Sequence, residues 1–179
     1  MIFKSFKFFR SVIRRIRNII STAFYSIVIS NFGKGSKIFY NFYCPRADRI
    51  QIGKNCLVDT NVSFVSECPS GFLVLGDNVK INTGVTLDYS GGLEIKDNVV
   101  VSRDSYILTH SHGYDPHSKP IPKPLVIDSD TWIGAKVIVG ENVSSIGANS
   151  VVASGSVVTK NVESNSIVGG NPAKFIKKI

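Results

Sequence analysis

Not one aspartate or glutamate occurs among the first 47 residues of this 179-residue chain, although nine lysines and arginines do: Lys4, Lys7, Arg10, Arg14, Arg15, Arg17, Lys34, Lys37 and Arg46. Of the 21 basic residues, that leaves twelve against thirteen acidic ones in the remainder, so the net charge of +8 belongs to the N-terminal segment. The body is close to neutral, which argues against a nucleic-acid footprint spread over the domain. Cysteine is also scarce. Cys44, Cys56 and Cys68 are odd in number and lack metal-ligand spacing, which speaks against a disulfide framework or a zinc finger and suits a reducing compartment. No long hydrophobic run exists. The longest nearly uncharged stretch, 19–31, is too short to span a bilayer, and no small-residue cleavage site comes cleanly after it. Low overall charge, 19%, with 43% hydrophobic residues predicts a folded core rather than disorder.

What is present begins with a stripe. Ile2, Phe6, Phe9, Ile13, Ile16, Ile20, Phe24 and Ile27 recur every three or four positions, the signature of an amphipathic helix. Lys7, Arg10, Arg14 and Arg17 lie largely on its other faces. Residues 1–49 are therefore expected to form a basic helical segment. It is expected either to touch anionic membrane through residues 1–29 or to cap the domain that begins at residue 50.

From residue 50 the period changes to six. A branched or bulky apolar residue returns in runs of three: Ile52/Val58/Phe64, Leu75/Ile81/Leu87, Ile95/Val101/Ile107, Ile127/Ile133/Val139 and Ile146/Val152/Val158. Four positions after each comes a smaller residue, such as Cys56, Val62, Val79, Ser105 or Ser156, and turn formers come after the first position in IGKN, LGDN and IKDN. A period of six fits neither a coiled coil nor an alternating hairpin sheet. It fits short strands joined by tight turns, three to a triangular coil, in a parallel β-helix. Five coils over residues 50–170, at the roughly 4.8 Å strand spacing, predict a prism about 24 Å tall. Residues 171–179 are expected to form a short helical tail.

The largest interruption is GYDPHSKPIPKPLV, residues 113–126, whose four prolines cannot continue a repeat strand. It must loop out, and long loops on rigid repeat scaffolds commonly carry function. His110, His112 and His117 all lie here, and a histidine at a turn beside such a loop is well placed as a general base. A metal site is disfavoured, because His117 sits in a proline-flanked loop and the alternation of His110 and His112 is expected to aim them apart.

The repeat, the string THSHGYD before an extruded loop, WIGA at 132–135 and the ending GSVVTK…GGNPAKFIKKI together resemble the hexapeptide-repeat acyltransferases over residues 50–179. More narrowly, they are similar to the branch containing galactoside, maltose, serine and capsular-sugar O-acetyltransferases. The resemblance implies a left-handed coil, a homotrimer with active sites between subunits, and acetyl-CoA as co-substrate with no metal. It implies His112 as catalytic base, with Asp115 or Asp88 to orient it. Ala135, Ser154, Thr159, Lys160, Lys174 and Lys177 fall at coenzyme-contacting positions, although family members often carry Arg where the last two lysines stand. Asn82, Asp88 and Tyr114 are candidates for the acceptor side.

The function so implied is O-acetylation of a sugar or lipid-linked sugar in surface-polysaccharide or lipopolysaccharide assembly. The expected place is the cytoplasm, with peripheral contact at the inner membrane face. Alternatives are N-acetylation of an amino-sugar nucleotide, acetylation of a xenobiotic, a zinc-dependent hydratase resembling carbonic anhydrase, and a non-catalytic trimeric scaffold.

Overall fold

The computed structural model describes residues 2–179, with side chains from Phe8 onward, so Ile2 and Phe6 of the apolar stripe and the basic Lys4 and Lys7 lie outside the described side chains. Helix α1, Ile2–Val28, leads into three parallel sheets that form the faces of a triangular prism. The first face stacks Asn31–Phe32, Ile50–Ile52, Leu73–Leu75, Leu93–Ile95, Leu125–Ile127 and Ser145–Ile146. The second stacks Lys37–Ile38, Leu57–Val58, Lys80–Ile81, Val100–Val101, Trp132–Ile133, Val151–Val152 and Ser166–Gly170. The third stacks Ser63–Val65, Thr86–Asp88, Tyr106–Ile107, Ile138–Val139 and Val157–Val158, with Tyr43 bridging to Ser63.

Register obeys the hexad. Val58 pairs with Ile81, Ile81 with Val101, Val101 with Ile133, and Ile133 with Val152, so one apolar ladder climbs the inside of the second face. Every rung is buried. Each such side chain contributes about 1.5–3 kcal/mol on leaving water, and no single coil can bury its own rung without neighbours.

Two of the three corners are regular. At the turn from first to second face, Asn55, Asn78, Asn98, Asp130, Asn149 and Asn165 all hold positive φ. Asparagine tolerates this left-handed conformation because its short polar side chain bonds locally. The side chains also join coil to coil: Asn78 donates to Asn98 at 3.1 Å and Asn98 to Asp130 at 3.0 Å. The turn from second to third face uses Asn41, Asn61, Gly84, Asp104, Lys136 and Gly155 in the same conformation. The third corner, from third face back to first, has no such ladder. All the interruptions in the hexad fall there, since each precedes a first-face strand.

Four expectations change. The prism has about seven coils instead of five, because residues 31–49 already form a coil and Val162 with Ser166–Gly170 begins a last one. The early coil escapes the hexad pattern because Phe32 and Cys44 occupy positions where branched aliphatics recur elsewhere. The helix accordingly ends at Val28, and the extruded segment is shorter at its C-terminal end, since Leu125–Ile127 is a first-face strand. The tail is not helical: Ala173–Lys178 pairs antiparallel with Ser166–Gly170 and covers the open edge of the second face.

The other end of the prism is closed by α1. Asn18 accepts from the Tyr40 N–H, and Thr22 both donates to the Ile38 carbonyl and accepts from its N–H. Ser21 and Tyr25 donate to the carbonyls of Phe39 and Phe42. The polar edge of the helix thus satisfies strand groups that would otherwise be open. Its apolar stripe consequently points away, leaving Phe9, Ile16, Ile20, Phe24 and Ile27 exposed. Among the described residues, no helix is long and apolar enough to cross a membrane.

Candidate active site

The chemistry gathers at the irregular third corner. After Ile107 the chain leaves the prism as His110–Ser111, turns, and returns as Ile121–Pro122 in an antiparallel ribbon. The return is anchored where the Lys123 N–H donates to the Thr109 carbonyl at 2.8 Å. Gly91 lies beneath this crossing, where a Cβ would collide with the Thr109 carbonyl oxygen and the Lys123 backbone nitrogen. Only glycine lets the loop pass so close.

The loop tip is held by its own bonds. The Asp115 N–H donates to the His112 carbonyl at 3.3 Å, the Ser118 N–H to the Asp115 carbonyl at 3.0 Å, and the Ser118 hydroxyl to the His112 carbonyl at 2.7 Å. This fold brings the Ser118 carbonyl to 2.8 Å from His112 Nδ1. A carbonyl can only accept, so Nδ1 carries a proton and Nε2 is the ring nitrogen left to meet other groups. Neither carboxylate expected to orient His112 touches it: Asp115 caps the His117 N–H, and Asp88 serves His110.

Asp88 is buried rather than facing an acceptor, which corrects its place among the substrate-side residues. Its carboxylate accepts from the Thr109 N–H at 2.6 Å, the Ser90 N–H at 3.0 Å and the Ser90 hydroxyl at 2.5 Å. It also accepts from His110 Nδ1 at 2.8 Å, which fixes the second ring in the same tautomer as the first. Burial alone pushes this carboxyl up, but the donors from Ser90, Thr109 and His110 outweigh it and hold the group below its ordinary range.

His110 and His112 do not aim apart. Residues two apart on a strand share a face, and the rings meet edge to face with centroids 5.2 Å apart. Both reach Glu67, two coils below at the same corner: His112 Nε2 lies 3.2 Å from one carboxylate oxygen and His110 Nε2 3.6 Å from the other. Glu67 is itself placed through the network, since its N–H donates to the Ser90 hydroxyl that in turn donates to Asp88. His117 is exposed in the loop, away from this cluster, and Tyr114 at the loop tip is fully exposed.

The remaining expected contacts divide between corners. Asn82, Ala135 and Ser154 come just after second-face strands and stack along the second corner, where Ser154 Oγ accepts from the Ala135 N–H at 3.1 Å. Thr159 and Lys160 come just after the last third-face strand, on the third corner above the histidines. With Lys174 they line a groove of about 600 Å³ between the last coil and the C-terminal strand. Lys177 lies on that strand opposite Ile167, outside the groove lining. Trp132 sits on the outer second face and donates to Ser102 at 2.9 Å. One chain therefore keeps His112 and the pair Ala135/Ser154 on different edges of the prism.

No family model matches the chain. It is 29% identical over 137 residues to the galactoside O-acetyltransferase of Escherichia coli K12, covering 76% of this chain but only 58% of that enzyme. It is 32% identical over 129 residues to WcaF of the same organism, provisionally named a colanic acid biosynthesis acetyltransferase, covering 72% of this chain and 69% of that one. In three dimensions it overlays a Vibrio cholerae hexapeptide-repeat acetyltransferase solved with acetyl-CoA at a TM-score of 0.65. That pair shares 28% identity, over 87% of this chain and 74% of the other.

Proposed function

The chain belongs to the hexapeptide-repeat acetyltransferases, whose prisms are left-handed, and from that membership we propose that it moves an acetyl group from acetyl-CoA to a sugar hydroxyl. The observation that carries the reading is His112, anchored through Nδ1 to a backbone carbonyl with Nε2 presented beside an extruded loop. The sugar in the names of the two Escherichia coli relatives, and the acetyl-CoA in the Vibrio structure, support acceptor and donor.

In this mechanism Glu67 gives way at His112 Nε2 to the acceptor hydroxyl. The hydroxyl oxygen attacks the thioester carbonyl while Nε2 takes its proton. The tetrahedral oxyanion is met by a backbone N–H near the turn. As the C–S bond breaks, the proton returns to the departing CoA sulfur, leaving the acetyl ester and a neutral His112. No acyl-enzyme forms, and holding both reactants in place supplies much of the rate. The split of contacts between two corners supports a cyclic trimer in which one copy's second corner, with Asn82, Ala135 and Ser154, faces its neighbour's His112. Thr159, Lys160, Lys174 and Lys177 meet the nucleotide end as donors and point charges.

A panel of sugars, sugar nucleotides and lipid-linked sugars, read by free thiol released from acetyl-CoA, tests the assignment. Release that depends on a sugar acceptor is expected. Absence of CoA binding by the folded protein sinks it.

The basic helix gives the same reading a location. Its apolar stripe and its run of arginines are exposed, with Arg17 lying over the Tyr40 ring at 3.9 Å, and anionic lipid at the inner face of the cytoplasmic membrane complements them. Vesicles containing phosphatidylglycerol are expected to sediment the protein, less so at high salt. Changing Arg14, Arg15 and Arg17 to glutamine should weaken binding on the order of a hundredfold, at about 1 kcal/mol per charge. Equal binding to neutral phosphatidylcholine vesicles would remove the membrane assignment.

A further inference from the structure

The cluster at the third corner has a feature that proton transfer does not use. Asp88 and the Ser118 carbonyl each occupy an Nδ1, so each histidine has only Nε2 left, and both Nε2 atoms face the Glu67 carboxylate. With both rings neutral these are three acceptors aimed at one point, which repel one another unless a proton or a metal cation lies between them. The three donor atoms all lie within 4.8 Å of one another, a separation that one ion closes with small side-chain movements. The surroundings also match what metal-ligating histidines have: an outer partner, here a buried carboxylate and a backbone carbonyl, that fixes the tautomer and raises basicity.

We propose that Glu67, His110 and His112 form a binding site for one divalent ion of the zinc class, assembled within a single chain. Two imidazoles and a carboxylate suit Zn²⁺ or Co²⁺ and leave a fourth position open for water. Hard ions such as Mg²⁺, which favour six oxygen ligands, fit poorly. Building on the role proposed above for His112, the site carries a regulatory consequence. The Nε2 lone pair that holds the ion cannot also take a proton from an acceptor hydroxyl, so loading silences transfer and chelation restores it.

The test uses the full chain, freed of metal by chelator and dialysed, and titrated with CoCl₂ in the absence of thioester and sugar. Growth of the intense visible absorption of four-coordinate Co²⁺, saturating at one ion per chain and displaced by Zn²⁺, is the expected result. Glu67→Gln should weaken the affinity by at least about tenfold, the scale seen when even an outer partner of a metal ligand is lost. Glu67 has a side chain 57% exposed, so this variant should fold, and circular dichroism checks it. His110→Phe should weaken binding comparably. A featureless titration, or one unchanged in both variants, overturns the site. In a separate arm, acetyl transfer by the chelated enzyme should fall as Zn²⁺ is added over the range that displaces Co²⁺. Undiminished transfer at saturating Zn²⁺ overturns the silencing. Because the titration reads absorption without any acyl donor, it stands independently of whether the chain proves to be a sugar acetyltransferase.

Discussion

Replacing His112 with alanine is expected to reduce acceptor-dependent CoA release by about 10²- to 10⁴-fold, the range that a positioned general base supplies. Three features direct the loss to this residue. Its Nδ1 is committed to the Ser118 carbonyl, so the ring cannot turn over, and Nε2 is the only basic atom it offers. The loop that supplies that carbonyl is tied back onto His112 by the Ser118 hydroxyl, which makes ring and loop one unit. His110, the nearest substitute, is 12% exposed and locked onto Asp88, which leaves it little freedom to reach a substrate.

The loss should fall on kcat, with KM for acetyl-CoA little changed, because the ring contacts the acceptor rather than the coenzyme. Residual activity should stay above the uncatalysed rate, since proximity of the two reactants survives the substitution. A loss smaller than about tenfold would show that His112 is not the base.

The same variant tests the assembly. Within one chain, His112 and Ser154 occupy different corners, so the proposed site exists only where two copies meet. Assemblies reformed from equal amounts of His112→Ala and Ser154→Trp chains should regain activity that neither has alone, because about a quarter of their interfaces are intact on both sides. Failure to recover any activity, with mixed trimers present by mass, would place the site within one subunit.

The prism was legible because its physics is periodic. Each coil needs an inward apolar side chain every sixth position, and runs such as Ile52/Val58/Phe64 and Leu75/Ile81/Leu87 say so without any structure. The terminal coils were not legible, for they pack against a helix and a hairpin rather than against another repeat, and residues such as Phe32 and Cys44 suffice there. His112 stood out through its place beside the proline-rich loop. Glu67 did not, since it lies 45 residues away and reaches the histidines only because two coils bring it to the same corner. A signal for it existed: the interruptions in the hexad all precede first-face strands, so the SECPSGF segment and the histidine loop had to share one edge. The Ser118 carbonyl carries no sequence signal, because every residue has one.

Removing the Asp88 carboxylate should cost about 3–5 kcal/mol of stability, the size expected when one partner of a buried charged network is deleted. Asp88→Ala strands the Thr109 N–H, the Ser90 hydroxyl and His110 Nδ1 inside the third corner. Asp88→Asn is gentler in shape but turns an amide NH₂ toward groups that are already donors. Thermal melting at fixed protein concentration should show both variants below wild type at pH 7, Asp88→Ala the lower. The deficit should also depend on pH in a set direction. The folded-state pKa of Asp88 is depressed, so its contribution is fully present above the unfolded value, about 3.9 for an aspartate, and is lost as pH falls through the lower folded value. The gap between wild type and variant should therefore hold from pH 7 to about 5 and narrow progressively below about 4. A gap that stays constant down to about pH 3 would mean that the carboxylate acts by shape alone, and that its charge does not organise the corner on which His110 and His112 are mounted.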